Sequence, residues 1–592
     1  MAAKGHPTKK VSKTVSRPGS RIELQRPWVP ALILSVILAF FIFWVRRIGD
    51  FGVETDFYGT YAPNAREIAR GNLNLQRYGV TGPLYECLLA LGIWARVPVF
   101  IWAKILSAAS MVGCLILWTR IAGRTLGNRA AAWIPWLLLL SPTFVRFGYI
   151  ASSDAVYCFL FSAGIFALTR AETERENFKA GLLVLVAFLT RYQALIFPGF
   201  SFLWQVGKPR AFRKWAIYLL AFPGLMIVAL LLLSLAGVSL PKPDFLYNIH
   251  YEVTPGHIDW DDYQAKVAGR GNPWDVLIHK PGSVFLVSMR NVPQHLENEF
   301  VHGAGPALGI FVVLGVIGLW RQRPDRTTGL RFGSFWLLQF LFLLPTQASE
   351  RYALTQIPLL AAISAWGLQD FPLALNARIR SWAAPTLIAG GLIMNGINQA
   401  NYQKRQPRFL LQTATAVKSL VHPNDRMMAR KPHLPFLAGC QWVYFPDAKN
   451  LHELRADLVQ KPAAFVYYGR SEIVLRPNFK FLCFPPYRPN GWETVHSDPD
   501  GELYKVGKTF FDSEIPADDV MLRELENATF TGSQAAPIAE AQRLAAYLVQ
   551  SGRCDQALRE YDRLRQFSTL SIQEERNVEH CRSAAKDSAQ SR

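Results

Sequence analysis

Residues 28–45 read Trp28-Val-Pro-Ala-Leu-Ile-Leu-Ser-Val-Ile-Leu-Ala-Phe-Phe-Ile-Phe-Trp-Val45 and contain no charged side chain. A run of this length is about what an α-helix needs to cross the hydrocarbon core of a bilayer. The polar segment Glu54-Thr-Asp-Phe-Tyr58 follows it closely. We therefore expect a membrane helix that ends at a water-facing loop rich in acids and tyrosines.

The rest of the chain repeats this alternation of apolar runs and polar loops. Half of the 592 residues are hydrophobic, and they are grouped in runs of roughly 17–24 residues, as membrane helices require. The sequence thus predicts a polytopic α-helical membrane protein with about eleven spans. The predicted spans are 28–45, 99–119, 130–148, 154–170, 179–190, 193–207, 214–237, 302–320, 331–347, 352–368 and 382–397.

The net charge of +20 lies mainly in the N-terminal arm and in short loops between the apolar runs. Basic residues in such loops orient a membrane protein with those loops inside the cell, so nucleic-acid binding is a poor interpretation. With the N-terminus inside, every short basic loop falls on the cytoplasmic side. These loops are 120–129, 170–179, 208–214, 321–331 and 369–381. We expect a bacterial inner (plasma) membrane protein with its C-terminal region outside.

Four regions follow from these patterns. Residues 1–27 are expected to be a disordered basic cytoplasmic arm, and residues 28–400 the membrane domain. Residues 401–515 mix helical and extended signals, which predicts an extracytoplasmic α/β domain closed by a hairpin at Asp498-Pro-Asp-Gly501. The segment 479–484 is interpreted as one of its strands. The absence of a glycine-rich phosphate loop favours a structural or acceptor-guiding role for this domain.

Residues 516–592 are predicted to be a short helical tail. Its segment Gly552-Arg-Cys-Asp-Gln-Ala-Leu-Arg-Glu-Tyr561 resembles one tetratricopeptide-type helix pair. A single repeat cannot bury its own core, so the tail should pack on the α/β domain or on a protein partner. If the tail is extracytoplasmic, Cys554 and Cys581 could pair across two helices, or both could be free thiols.

The first outer loop, 46–98, contains the candidate catalytic acid. Asp56 to Gly71 is predicted to be a short interfacial helix, with Tyr61 and Ala65 on one face. A carboxylate at a helix N-terminus is stabilised in its charged form, which keeps Asp56 able to accept a proton. The alternative is that Asp56 only caps the helix and Glu54 is a solvated acid of the loop.

Basic residues at the outer boundary suggest a site for an anionic lipid. Arg146, Arg191 and Arg351 lie in short outer connections, and Lys104 lies about one turn inside the second predicted span. A charge at this depth is costly unless it pairs or snorkels, and arginine binds phosphate through paired contacts. Snorkelling to lipid headgroups is the alternative for each. Asp154 is either a second active-site acid or the N-cap of its helix.

These segments also resemble a known family. Glu54-Thr-Asp-Phe-Tyr58, Asn64-Ala-Arg-Glu-Ile-Ala-Arg-Gly-Asn72 and Gly82-Pro-Leu-Tyr85 resemble the first outer loop of the glycosyltransferase C superfamily. The similar branch contains protein O-mannosyltransferases and aminoarabinose transferases, which use polyprenyl-phosphate sugars. Ser153-Asp154 and two further stretches, 190–198 and 350–358, also look like recurring segments of that superfamily. The resemblance covers roughly residues 28–400.

The resemblance implies an inverting glycosyltransferase that moves a sugar from a polyprenyl phosphate to an outer-face acceptor, a glycolipid, polysaccharide or protein. Asp56 would deprotonate the acceptor, with Glu54 as the other candidate base and Asp154 as a further site acid. Arg191, Arg351 and Lys104 would neutralise the leaving phosphate. The sugar pocket would be lined by Tyr58, Tyr61, Tyr192 and Tyr352.

Cofactors and competing functions stay open at this point. No cofactor is expected to be required, because arginines supply the positive charge, although a divalent cation is not excluded. The loop 238–301 contains His250, Glu252, His257, Asp259, Asp261 and Asp262. Their spacing matches no established metal site, so an acceptor-side loop is favoured. The alternative functions are a polyprenyl-diphosphate glycan ligase and a noncatalytic transporter or assembly subunit.

Overall fold

A computed structural model of the chain describes most residues from Trp28 onward. They are 28–238, 246–254, 263, 277–321, 326–368, 377–484, 488–515, 554–565 and 569–590, with isolated residues between 542 and 549. The arm 1–27, His257 and the three aspartates of the loop 238–301 lie outside the described residues, as does most of 516–553.

The part of the chain predicted to lie in the membrane is helical. Its longer helices are Trp28–Phe40 (continued by Phe41–Val45), Val99–Thr125, Asn128–Leu140, Ser153–Arg170, Glu174–Phe188, Phe197–Gln205, Ala211–Leu219, Leu225–Leu235, Pro281–Glu297, Gly305–Arg321, Arg326–Leu343, Ile357–Leu368 and Ala377–Gln403. Shorter helices lie between them at Ala62–Ala69, Leu84–Trp94, Pro142–Phe147, Tyr247–Val253 and Glu350–Ala353.

The predicted spans correspond closely to these helices. By length and composition, three helical stretches of the described chain could each cross a membrane: Trp28–Val45, Val99–Thr125 and Ala211–Leu235. A fourth candidate is the pair Pro281–Gly303 and Gly305–Gly318, which is bent by 110°. The other helices are shorter or less apolar, so the prediction of about eleven spans stays a prediction.

Most of the longer helices share a hydrophobic core built from close crossings. Val99–Thr125 packs along Ser153–Arg170, where the indole of Trp118 donates to the Ser162 hydroxyl at 2.8 Å. Gly305–Arg321 packs along Ile357–Leu368, where a Cβ added at Gly315 would lie 2.6 Å from the Ile363 carbonyl oxygen. Small residues at such crossings let two helix backbones approach closely. The crossing holds the connection before Ile357–Leu368 in place, and this connection carries Arg351.

Residues 401–515 contain a five-stranded mixed sheet. Its strands are β1 (Arg426–Ala429), β2 (Gln441–Tyr444), β3 (Phe465–Gly469), β4 (Trp492–Asp498) and β5 (Gly501–Val506). The spatial order is β2-β1-β3-β5-β4, with β1 parallel to β2 and β3, and β5 antiparallel to β3 and β4. The helices Phe409–Val417, His433–Ala438 and Leu451–Gln460 complete a small α/β unit, as predicted.

One local prediction in this unit was wrong, and one strand was not predicted. Residues 479–484 were predicted to form a strand, but Pro477–Cys483 is a 3₁₀ helix whose Phe479, Phe481 and Leu482 are fully buried. A short apolar run cannot distinguish a strand from another buried segment by periodicity alone. The edge strand β2 was not predicted, because its four residues lie directly after a short helix and a left-handed Gly439.

The described part of the tail consists of two helices, Cys554–Leu564 and Ile572–Gln590. Cys554 and Cys581 form a disulfide that joins them, which realises one of the two alternatives expected from the sequence. Glu560 lies 3.6 Å from Lys480 of the α/β domain. The likeness of this tail to a tetratricopeptide repeat stays a prediction.

Candidate active site

Asp56 lies in the first turn of the short helical segment that opens the loop 46–98. The segment continues as a π-helical turn, Phe57–Tyr61, into the helix Ala62–Ala69, and Gly71 ends it with a φ of +90°. The Asp56 side chain makes no capping hydrogen bond and is 43% exposed. Its Oδ2 lies 2.8 Å from Nη2 of Arg351. Asp56 therefore faces water and a partner from a distant part of the chain.

Arg351 connects Asp56 to a second, buried acid. Its Nε lies 3.2 Å from Oδ2 of Asp154, whose other oxygen pairs with Arg191. Ser152, rather than Asp154, caps the helix Ser153–Arg170, since its hydroxyl accepts the Asp154 amide hydrogen. The alternative of Asp154 as an N-cap was therefore wrong. Two acids and two arginines from four separate segments form one continuous ion-pair cluster.

Two tyrosines border this cluster. The hydroxyl of Tyr61 lies 3.2 Å from that of Ser153, and burial, followed by the nearby Asp56 carboxylate, raises the pKa of Tyr61 to about 12. The Tyr352 ring lies 5.9 Å from the Arg191 guanidinium carbon. Asn248 donates to the Tyr352 hydroxyl at 2.7 Å. Tyr61 is therefore a neutral hydrogen-bonding group at neutral pH.

Two cavities of different character meet at the cluster. The smaller one, of about 170 Å³, is mainly apolar and is lined by Arg191, Tyr192, Tyr352, Leu246 and Phe342 among others. The larger one, of about 460 Å³, has a mixed lining rich in charged side chains, and we call it the polar cavity. Arg146, Arg351, Arg405, Asp50 and Glu350 contribute its charged lining.

The larger cavity has a surplus of positive charge. Arg146 is paired with Glu350, and Arg351 with the two acids of the cluster. Arg405 lies 5.9 Å from the Tyr402 ring, and no described carboxylate lies within ion-pair distance of it. Arg191 of the cluster thus lines the apolar cavity, and Arg351 lines the polar cavity together with Arg146 and Arg405.

Comparison with solved structures identifies this architecture. ArnT from Cupriavidus metallidurans, bound to undecaprenyl phosphate, matches with a TM-score of 0.56 and 13% identity, over 82% of this chain and 99% of that one. The oligosaccharyltransferase of Archaeoglobus fulgidus, in complex with Zn and sulfate, matches with a TM-score of 0.51 and 12% identity, over 92% and 86%. The chain has the GT-C fold. At these identities the likeness concerns the fold alone.

Sequence comparison adds nothing to this result. No protein-family model matches the chain, and no curated protein sequence matches it. The predicted resemblance to the glycosyltransferase C superfamily is nevertheless confirmed at the level of the GT-C fold.

Three predicted site residues lie apart from the cluster. Glu54 is fully buried, pairs with Arg46 and accepts the Ala151 amide at 2.9 Å. The hydroxyl of Tyr58 accepts the Gly49 amide at 2.9 Å. Lys104 donates to the carbonyls of Ile42 and Arg46 at 2.8 and 2.9 Å, at the end of the first helix.

Through these contacts the side chains of Glu54, Tyr58 and Lys104 bond other protein groups, and they do not face an open pocket. Their substrate contacts stay predictions that the geometry does not favour. Tyr192 does line the apolar cavity, and its hydroxyl donates to the Tyr78 carbonyl.

The α/β domain packs directly on the loop that carries Asp56. Nε2 of His433 donates to the Asp50 carbonyl at 3.0 Å, and its ring lies 4.2 Å from the Tyr58 ring. Burial lowers the pKa of His433 to about 3, so the ring is neutral and can make this bond at physiological pH. The domain therefore helps to fix the loop, which is compatible with the structural or acceptor-guiding role predicted from its sequence.

Sequence reasoning missed Arg46, Tyr402 and Arg405 as neighbours of the site. Arg46-Arg47 directly follows the first predicted span. A basic pair at the outer end of a span departs from the positive-inside pattern, which was an available signal. Tyr402 and Arg405 follow the last predicted span, where nothing in the sequence distinguishes them.

The described residues contain no group of three or more His, Cys, Asp or Glu side chains that could bind a metal ion. Of the loop 238–301, His250 contacts Tyr263 and Glu252 contacts Arg290 at 3.1 Å. The remaining candidate ligands lie outside the described residues, so the absence of a metal requirement stays a prediction.

Proposed function

We propose that the chain is a membrane glycosyltransferase that transfers a sugar from a polyprenyl-phosphate carrier to an acceptor. The observation that carries this proposal is the ion-pair cluster Asp56–Arg351–Asp154–Arg191, placed between an apolar and a polar cavity. The GT-C fold supports it, since a solved neighbour with this fold, ArnT, is bound to undecaprenyl phosphate.

The apolar cavity suits the carrier. Its aliphatic and aromatic walls would contact the first isoprene units, and Arg191 lies among them. Arg191 uses Nη1 for Asp154 and is almost fully buried. A buried guanidinium can bind phosphate strongly, because little water competes for it. Together with Arg351 it would stabilise the charge that develops on the phosphate as the sugar leaves.

Asp56 is the best-placed general base. It is the exposed acid of the cluster, and within the described residues its Oδ1 has no hydrogen-bond partner. Asp154 is 3% exposed and uses both oxygens to hold the two arginines. Asp56 would therefore accept the proton of the acceptor as it attacks the anomeric carbon, in a single displacement with inversion. Asp154 would orient Arg191 and Arg351.

The polar cavity would admit the acceptor. Arg351 lines it and bonds Asp56, so a nucleophile there would approach the base and the phosphate-binding arginine together. The surplus guanidinium of Arg405 favours an acceptor with an anionic group near its nucleophile. The predicted orientation, with this site at the outer face of the inner membrane, belongs to the same proposal.

The test is a transfer assay in membranes with and without the protein. Radiolabelled polyprenyl-monophosphate sugars and polyprenyl-diphosphate glycans are supplied in parallel, with outer-envelope extracts as acceptors. We expect transfer from a monophosphate donor only. Transfer from the diphosphate donors alone would instead identify a glycan ligase. Absence of transfer from every donor, with no measurable carrier binding, would favour a noncatalytic protein.

A further inference from the structure

Arg46 is a buried arginine that the proposed reaction does not use. Its side chain is fully buried at the end of the first helix, and its Nη2 bonds Asp50 at 2.8 Å and also Glu54. Its Nε and Nη1 have no hydrogen-bond partner within the described residues. A buried ion pair seldom stabilises a fold more than apolar residues of similar size would. Its presence here therefore calls for a role beyond stability.

Glu54 is the centre of the contacts that Arg46 makes. Its Oε2 accepts from Arg46 and from the Asp50 amide at 3.0 Å, and its Oε1 accepts the Ala151 amide at 2.9 Å. Glu54 lies shortly before Asp56 in sequence, and Ala151 lies shortly before Asp154. The Glu54 carboxylate therefore links the segment that carries Asp56 to the segment that carries Asp154.

Residues that follow the last predicted span also contact the loop that carries Glu54. The Tyr402 hydroxyl donates to Asp50, and the Tyr402 ring lies 5.1 Å from the Arg46 guanidinium carbon. Oε1 of Gln406 accepts the Arg47 amide at 3.0 Å. The described contacts of Glu54 and Arg46 are with protein groups, and neither residue lines either cavity. Their action on a reaction must therefore pass through other residues.

We propose that Arg46 and Glu54 are positioning residues that set the separation of Asp56 from Asp154. Arg351 bonds both acids at once, through Nη2 and Nε, which requires the two carboxylates to stand at a fixed spacing. The bond from Glu54 to the Ala151 amide fixes that spacing, and Arg46 holds the Glu54 carboxyl group in place through Oε2. The catalytic part of this inference rests on the proposed role of Asp56, whereas the geometric part does not.

The test uses the double variant Arg46→Met/Glu54→Leu, which removes one charge of each sign and leaves Asp50 with hydrogen bonds from the Tyr402 hydroxyl and the Gly52 amide. Buried pairs replaced in this way usually keep their fold. The control is Arg476→Met/Glu472→Leu, because Arg476 and Glu472 form a second buried pair, at 2.8 Å, in the α/β domain. Folding of both variants is checked by thermal unfolding in detergent.

The first readout does not depend on turnover. Thr55 lies next to Asp56 and is partly exposed. The half-buried Cys87 and Cys440 are first replaced by Ser. Thr55→Cys is then labelled with a membrane-impermeant maleimide. We expect the labelling rate to rise at least about fivefold in the Arg46/Glu54 variant and to stay within about twofold in the control. Equal rates in all three backgrounds would overturn the proposal.

The second readout separates positioning from substrate binding. We expect kcat to fall about 10- to 100-fold in the Arg46/Glu54 variant, since misplacing a reacting group by about 1 Å costs this much. Affinity for undecaprenyl phosphate should stay within about twofold, because Arg191 is untouched. A wild-type kcat in a variant with faster labelling would overturn the catalytic part. If even the unaltered chain transfers nothing, the proposed function fails, and the labelling rates still decide the geometric part.

Discussion

Nη2 of Arg351 lies 2.8 Å from Oδ2 of Asp56, and Nε of the same guanidinium lies 3.2 Å from Oδ2 of Asp154. One arginine thus joins the exposed acid of the first loop to the buried acid at the start of Ser153–Arg170. Because the Asp154–Arg191 pair completes the cluster, its formal charge is zero. An arriving phosphate would therefore compete with Asp56 for Arg351, which would release the Asp56 carboxylate for the acceptor.

Arg191 should dominate binding of the carrier phosphate. We expect Arg191→Ala to weaken undecaprenyl-phosphate binding at least about tenfold, because it removes the guanidinium of the apolar cavity. The variant Arg191→Lys should restore little of this binding, since lysine lacks the planar pair of donors that arginine has. Binding is measured with the protein in lipid nanodiscs. Arg213→Ala, which removes an exposed pair with Glu174, is the control, and equal affinities in all three would contradict the assignment.

Arg405 should affect the acceptor and not the carrier. In the proposed arrangement, Arg405→Ala raises the acceptor concentration needed for half-maximal transfer about five- to tenfold, with kcat nearly unchanged. The comparison uses anionic and neutral acceptor fractions separated by ion exchange. The Arg405→Ala effect should be confined to the anionic fraction. A similar loss with neutral acceptors would show that Arg405 does not recognise an anion.

Glu86 should make stability depend on pH. It is buried in the first loop, where Asn64 donates to it at 2.9 Å and Tyr78 also contacts it. Burial raises its pKa to about 7, so the folded protein holds this proton more tightly than the unfolded chain. Stability from this group is therefore full at acidic pH and is lost as the pH rises from about 4.5 through 7, by on the order of 2 kcal/mol.

The variant Glu86→Gln tests this pH dependence, because the amide imitates the neutral acid. We expect the thermal midpoint of the unaltered protein to fall more steeply between pH 5 and pH 8 than that of Glu86→Gln. Glu67→Gln, at an exposed acid of the same loop, should behave like the unaltered protein. Parallel pH profiles for all three proteins would show that Glu86 is ionised throughout this range.

The disulfide between Cys554 and Cys581 tests the orientation of the C-terminal region. Disulfides persist in oxidising compartments, so an extracytoplasmic tail should contain this bond in cells. With the other cysteines replaced, we expect maleimide to label these two thiols only after reduction. Full labelling without a reductant would place the tail in a reducing compartment and reverse the predicted topology.

The sequence predicts the helices well, because long apolar runs mark directly the segments that are buried away from water. It also places Asp56, Asp154, Arg191 and Arg351 at one boundary, where the structure brings them into contact. The sequence favoured Asp56 as the base but left Glu54 as the other candidate, since both follow the same span and the direction of each side chain is not visible in the sequence. That direction is set by Arg46 and the Ala151 amide, which are long-range contacts.

Lys104 has protein partners that the sequence did not reveal. A lysine one turn inside a span resembled a phosphate ligand, yet its ammonium group bonds two carbonyls left free by the π turn Phe41–Val45 and its flank. The irregular end of one helix is thus satisfied by a side chain of another. Neither the π turn nor its partner is visible in the pattern of apolar residues, because both depend on how the two helices pack.

The most direct measurement of the central claim is sugar transfer by the purified chain in nanodiscs, with Asp56→Asn compared against Glu67→Gln. The account predicts that Asp56→Asn lowers kcat by about 100- to 10,000-fold, as expected for loss of a general base, while carrier binding persists and Glu67→Gln transfers normally. Comparable transfer by the two variants would contradict the assignment of Asp56 as the base.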